Sequence, residues 1–519
     1  MFSSPSLKVL HLGRRGLGAA TVAMLAVVLM LPGISGALTS GEEHSDDSYT
    51  LGEIAEQIGA EGLRESGITG EGVTVAVIDT GVADVPGLDA PGKVIHGPDL
   101  SFESGVPELY NRDSFGHGTA MASIIAGDDG TEDGFTGIAP GARILSMKVA
   151  DNTGSVDVTQ VIAAIDFVVE TRDETDVRVL NLAYRTDGGS DRRTDPLVAA
   201  VERAWEAGIV VVVSAGNDGG STLGNPALSP QVIAVAAGEE NEREPASFSN
   251  TGELRAPDLT APGSRVLALA APGSRLAEEH PGAVIDGRFL RGSGTSQAAA
   301  VVSGAAALLI EADPSLTPDQ IKAQLILGVD EHGEKSRAAM RSKKLDELDA
   351  ADRLEWSQEW SGTQLGDLDF EDDMGAGYLN VGRSAGIDAQ GFFQSHATSD
   401  GSGPLDDARG SVIALTPEGI AITGEVDFTG GSWSGATWSG ATWSGGSWSG
   451  ATWSGASWSG ATWTGGSWSG ASWSGASWSG ASWSGATWSG GSWSGASWSG
   501  ASWSGASWSG ATWSGISWG

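Results

Sequence analysis

From Leu51 to about Gly386 the chain alternates between short apolar runs and longer amphipathic stretches. Val73–Ile78, Arg143–Lys148, Val177–Leu182, Ile209–Ser214 and Val232–Ala237 are dominated by apolar and β-branched residues, the pattern of buried strands. Val158–Glu170 and Pro196–Ala207 place their apolar positions at helical spacing. Strands alternating with helices predict an α/β fold around a mainly parallel central sheet, whose ligands gather at the carboxyl ends of the strands. Residues 331–360 read as a charged, helix-prone insertion, expected as a solvated surface helix.

The two ends break this pattern. Residues 1–37 hold no acidic residue; Lys8, Arg14 and Arg15 precede an apolar run from Ala19 to Leu31, then Pro32 and the small residues Ser35, Gly36 and Ala37. That layout predicts a cleaved signal peptide. The alternative is a membrane anchor, for which the run is short against the roughly 20 residues of a span. Arg14-Arg15 suggests twin-arginine export, although the residues after it fit that signal poorly. A short acidic leader covers 38–50, the globular domain 51–390, and a linker with a hairpin pattern (Ser411–Leu415 and Ile420–Phe428) 391–430. In the tail, 431–519, a tryptophan recurs every fifth residue from Trp433 to Trp518, 18 of the chain's 21. Five residues scatter the tryptophans around a helix and alternate them across a strand. With a glycine in each Trp-Ser-Gly unit, this low-complexity tail is either a solenoid with one corner per repeat or a disordered, adhesive string.

Charge narrows the partners. Removing the three signal-peptide cations takes the formal net charge from −37 to −40, and no charged residue follows Asp427. So acidic a chain is not built for nucleic acid or an anionic membrane, and fits a soluble, secreted, monomeric protein. The absence of cysteine rules out disulfides, leaving an exported fold to rest on its core, with bound ions as a candidate aid. The acidic loop Asp128, Asp129, Glu132 and Asp133 has the spacing of an oxygen-ligand calcium site, though such loops are more often plain surface.

Candidate chemistry lies in four places. Asp79 ends an apolar strand and precedes Thr80-Gly81, a fixed position that a plain turn cap would also explain. His117 sits between Gly116 and Gly118 at the start of a small-residue helix, where a core histidine would have larger neighbours. Ser296 opens the apolar helix that follows Gly292-Ser293-Gly294-Thr295; a serine there is ordinarily an N-cap, but small neighbours expose this one at a positive helix end. Asn217 follows a strand in Ser214-Ala215-Gly216-Asn217, as a turn residue or as an amide donor to an oxyanion.

Val-Ile-Asp-Thr-Gly, Gly-His-Gly-Thr, Ser-Ala-Gly-Asn and Gly-Thr-Ser-Gln-Ala-Ala resemble, in that order, the signature blocks of the subtilase family. Over about residues 50–386, closing with Gly375–Asn380, the resemblance implies a three-layer subtilisin-like fold and a serine endopeptidase needing no cofactor, with protein or peptide substrates. Ser296 would form the acyl-enzyme, His117 act as base and acid, Asp79 orient it and Asn217 serve the oxyanion. Gly154, Ser155 and Val156, with Ala183, Tyr184 and Arg185, would pair with an extended substrate, and Ser214, Ala215 and Gly216 would wall the pocket before the scissile bond. Departures are Ala183-Tyr184-Arg185 for the usual Ser-Leu-Gly, expected to narrow or charge the subsites, and Ala300 for the usual proline. The residues between Ala37 and Asp79 are largely needed by the domain itself, so folding is expected without a separate N-terminal folding domain. A competing reading makes the peptidase fold an inert scaffold and the tail a binder of cell-wall or other polysaccharide surfaces.

Overall fold

The computed structural model describes residues 48–131, 134–187, 191–239, 245–252, 255–330, 375–411, 413–417 and 419–430, and the backbone of three-residue tail strands between Thr437 and Trp518. The signal peptide, most of the leader, the 331–360 insertion, Glu132 and Asp133 lie outside the described residues.

Chain order runs α1 (Leu51–Gln57), α2 (Ala60–Glu65), β1 (Thr74–Asp79), β2 (Val94–His96), α3 (His117–Ala126), β3 (Arg143–Lys148), α4 (Val158–Thr175), β4 (Val177–Leu182), α5 (Pro196–Glu206), β5 (Val210–Ser214), β6 (Ile233–Gly238) and β7 (Leu259–Pro262). It continues through β8 (Val266–Leu269), α6 (Arg275–Glu279), β9 (Val284–Ile285), β10 (Phe289–Gly292), α7 (Thr295–Ala312), α8 (Pro318–Leu327), α9 (Val381–Ser384) and α10 (Leu405–Arg409). A seven-stranded sheet in the order β2-β3-β1-β4-β5-β6-β7 is parallel throughout. β1, β5, β6 and β7 are buried at every residue, which is why the first three read as largely apolar runs. α3, α7 and α8 form one helix layer and α4 with α5 the other, the expected three-layer α/β architecture.

α7 packs on β4, β5, β6 and β7 and against α3. It is long and apolar enough to cross a membrane, yet 89% of it is buried, so it is the core helix of this domain. The chain after β1 turns toward β2 and the chain after β4 turns toward β5, so a crevice opens between these strands at their carboxyl ends.

Residues 391–430 are not a free linker. Leu405 and Ala408 are fully buried in the main core, and Phe428 packs against it. The expected hairpin reduces, among the described residues, to one bridge between Leu415 and Ala421, closed by Thr416 N–H on Ile420 O at 2.8 Å. In the tail, each strand pairs in parallel with the strand 20 residues on: Trp438 with Trp458, Trp443 with Trp463, Trp448 with Trp468, Trp453 with Trp473. Four separate sheets result, each taking every fourth strand. The described tail strands thus return to register every four repeats, the pairing that the solenoid form calls for.

Candidate active site

Asp79 closes β1 with its carboxylate buried, Oδ1 accepting from Thr80 N at 2.8 Å. His117 is the first residue of α3, and its Nδ1 lies 2.8 Å and 2.9 Å from the two Asp79 oxygens. The flanking glycines make this approach possible. A Cβ on Gly118 would fall 2.2 Å from Gly81 O, and one on Gly116, held at φ +108°, would fall 2.6 Å from Ser274 Oγ.

A buried aspartate not foreseen from sequence holds the two elements together. Asp113 Oδ1 accepts from Thr80 Oγ1 (2.8 Å) and Gly116 N (2.6 Å), and Oδ2 from Thr119 N (2.8 Å) and Thr119 Oγ1 (2.5 Å). Thr80 Oγ1 in turn accepts from Gly118 N at 2.8 Å. The available signal was an acidic residue four positions before His117 in a run otherwise destined for burial. Lys148, beside Asp79 across the β1–β3 register, is buried too, but its ammonium donates to Glu103 Oε2 at 2.6 Å and Arg112 O at 2.5 Å. Among the described residues it therefore makes no ion pair with Asp79.

Burial works to lower the His117 imidazole. The charge of Asp79, then its hydrogen bond, and then the charge of Asp113 outweigh burial, so the pKa lies above the ordinary 6.5. His117 Nε2 is buried without a hydrogen-bond partner. His117 shares a small cavity with Ala120, Leu276, Leu290, Gly292 and Gln297, between α3, the β8–β10 pair and the start of α7.

Ser296 is the second residue of α7, 5% exposed, next to Gln297 and within the first turn of an 18-residue helix. Its N-terminal N–H groups carry partial positive charge. Asn217 is half-buried and tied to the same turn: its Oδ1 accepts from Thr295 N (2.7 Å) and Thr295 Oγ1 (2.9 Å). With the oxygen so engaged, the amide's two N–H groups are its remaining polar face. Thr295 Oγ1 also accepts from Gly216 N at 3.1 Å, which draws Ser214-Ala215-Gly216 alongside.

The expected substrate edges fare unevenly. Gly154, at φ +76°, lies against the Phe115 ring, and Val156 is buried. Gly154 N is committed to Asp151 O at 3.0 Å and Ser155 N to Asp151 Oδ1 at 3.1 Å, so neither N–H is open for backbone pairing. Tyr184 departs from expectation: its side chain is 2% exposed and belongs to the main core, so it cannot line a subsite. Burial pushes its phenol far up, helped by Asp157 and Asp195. Arg185, by contrast, lies against Gly216. A Cβ on Gly216 would sit 2.8 Å from its Nε, and its Nη2 pairs with the exposed Asp218 at 3.1 Å.

In the acidic loop, Asp128 Oδ1 accepts from Gly130 N. Asp129 accepts from Arg288 Nη2 (2.8 Å), Phe135 N (3.0 Å) and Thr131, with Arg288 foremost in holding its carboxyl well below the usual range. Among the described residues no group of three acidic or histidine side chains is arranged to hold a metal ion. A cation at Asp129 would have to displace the guanidinium.

A parallel doubly wound sheet that gathers an aspartate–histidine pair, a helix-end serine and an oriented asparagine at its carboxyl edge defines a subtilisin-like α/β domain. The chain belongs to the subtilase family, whose profile matches residues 70–348, more than half of its length. It is similar to Serine protease AprX of Bacillus subtilis, 34% identical over 257 residues that cover 46% of this chain and 57% of that protein. Subtilisin DY of Bacillus licheniformis is 34% identical over 237 residues, 45% of this chain and 76% of its own. Minor extracellular protease Epr of Bacillus subtilis is 32% identical over 232 residues, 44% and 32%. The chain thus spans little more than half the length of AprX. A solved cold adapted subtilisin-like serine proteinase aligns at 28% identity and TM-score 0.40, over 51% of this chain and 84% of that one.

Proposed function

We propose that the protein is an exported serine endopeptidase that cleaves proteins or peptides through an acyl-enzyme on Ser296. The observation that carries this reading is the His117 ring: Nδ1 is fixed by Asp79, while Nε2 is buried with no hydrogen-bond partner among the described residues. Nε2 takes the proton of Ser296 as the hydroxyl attacks the scissile carbonyl, and returns it to the leaving amine. Asp79 keeps the proton on Nδ1 and stabilises the imidazolium. Asn217 Nδ2 and the N–H of Ser296 stabilise the oxyanion, Thr295 having aimed the amide. A water then hydrolyses the ester by the same proton route in reverse.

Residues 154–156 and 183–185 pair with the extended substrate, and Gly216 with Arg185 forms the wall of the pocket before the scissile bond. The signal-like N-terminus and the relative named extracellular support export. The uncharged tryptophan coil after Asp427 suits attachment to a cell wall or polysaccharide; retention of the full chain, but not of a chain ending at residue 430, on insoluble glycans tests that role. The enzymatic reading is tested by a serine-directed organophosphate. Ser296 should be labelled, and Ser296→Ala should lose about 10⁶-fold in turnover on casein peptides, the size known for subtilisin. An unlabelled Ser296 with undiminished cleavage in Ser296→Ala would refute it.

A further inference from the structure

Beside the proposed substrate edge that ends at Val156 lies a buried cluster, completed by a residue from outside the family's segment. Asp157 directly follows Val156 and caps α4: its Oδ1 accepts from Thr159 N at 3.0 Å and from the Thr159 hydroxyl, while its own N–H is held by Gln160 Oε1 at 2.6 Å. The Tyr184 phenol, in the second edge, is buried and among the described residues hydrogen-bonds to none of these groups. Arg409, the last residue of α10, enters this space 252 positions after Asp157. Its Nε donates to Asp157 Oδ2 at 2.7 Å; Nη1 donates to Asp406 Oδ1 (2.9 Å) and Gly424 O (2.6 Å), and Nη2 to Val426 O. Arg409 is 3% exposed and Asp157 1%. Leu405 and Ala408 anchor α10 in the core, and Phe428 N donates to Thr159 Oγ1 at 3.0 Å, so the start of α4 is gripped twice.

We propose that Arg409 is a positioning residue for peptide binding: by neutralising Asp157 it fixes the backbone edge ending at Val156, on which an extended substrate lies. This rests on the endopeptidase reading. Without the guanidinium, the Asp157 carboxylate would be a buried, unpaired charge. It would take up a proton or draw in water, surrendering the cap of α4 and with it the setting of Val156. Residues far beyond the family segment thus complete the cleft, and a substrate should feel them in proportion to the length of backbone it lays on that edge.

The test compares two substrates on the full chain: a tetrapeptide anilide, which spans the edges, and a single-residue N-acetyl ester, which reaches little beyond Ser296. Arg409→Met should raise KM for the tetrapeptide at least about tenfold more than for the ester, with the ratio of the two kcat values nearly kept. Arg409→Lys should recover part of the loss, and so should Asp157→Asn placed in the Arg409→Met background, since it removes the unpaired charge. If Arg409→Met does not fold, the lysine variant and the double variant carry the same two-substrate comparison. Parallel losses on both substrates, or no loss on either, would overturn the positioning role. Failure of the endopeptidase reading looks different: the unaltered protein would cleave neither substrate and Ser296 would resist the organophosphate.

Discussion

Two buried carboxylates in this domain each hold a cationic or basic partner, Asp79 with His117 and Asp157 with Arg409, and they are satisfied to different degrees. Around Asp157 every polar atom of the guanidinium has an acceptor, and the carboxylate also serves a helix end. Around Asp79 one ring nitrogen is held by both carboxylate oxygens, and the other is buried with no partner among the described residues. A permanently charged partner closed on all sides is architecture. A titratable partner left open on one side is poised to move a proton, and the cost of the orphaned nitrogen is carried by the fold around it.

Substitutions should separate the two pairs along that line. The largest effect is expected for Asp79→Asn, a fall of about 10⁴ in kcat on a peptide amide as the imidazole loses its tautomer. Its melting temperature should move far less than that of the second pair's variant; an equal drop in both would erase the distinction. Asp157→Ala should instead cost about 3–5 kcal/mol of stability in urea unfolding, because it strands a buried arginine and uncaps α4.

The open pair should also announce itself in pH. His117 must be neutral to accept a proton, and its pKa lies above 6.5, so kcat/KM should fall on an acid limb centred above pH 6.5. Stability runs the other way: the charged His117–Asp79 pair contributes fully below about pH 6.5 and is lost as pH rises through the raised value. An acid limb centred below 6.5 would mean that Asp79 does not dominate the ring. The smallest effect is expected for Arg288→Met, which removes a partly exposed partner of Asp129 and should cost about 1 kcal/mol or less. Calcium titration of that variant by calorimetry, against the unaltered chain, checks whether the guanidinium was keeping a cation out.

Much of the sheet could be read in advance because its strands are buried on both faces: β3 and β4 begin and end where their apolar runs do, β5 starts one residue later, and β1 and β6 are each shifted by one residue at both ends. The helix opening at Ser296 and the small neighbours of His117 were legible because tight backbone approaches leave a local trace in glycine and alanine. β2, β7 and the antiparallel sheet of β8, β10 and β9 were not, being short and only partly apolar. Asp113, Lys148 and Arg409 were missed for another reason. A charged residue looks solvent-facing in sequence, and what makes burial tolerable is a partner supplied from elsewhere, 252 residues away for Arg409. Tyr184 shows the converse: it sits in the expected stretch, but its side chain points into the core.

The tail's geometry has a consequence for its inheritance. Paired strands in the tail lie 20 residues apart, and each strand comes from nearly the same five-residue unit. Losing or duplicating one unit by slippage of a repetitive coding sequence would shift every later strand from one sheet to another, yet still set tryptophan against tryptophan in every ladder. Length can therefore drift in steps of five without a misfolded intermediate, a freedom that the domain carrying Asp79, His117 and Ser296 does not have.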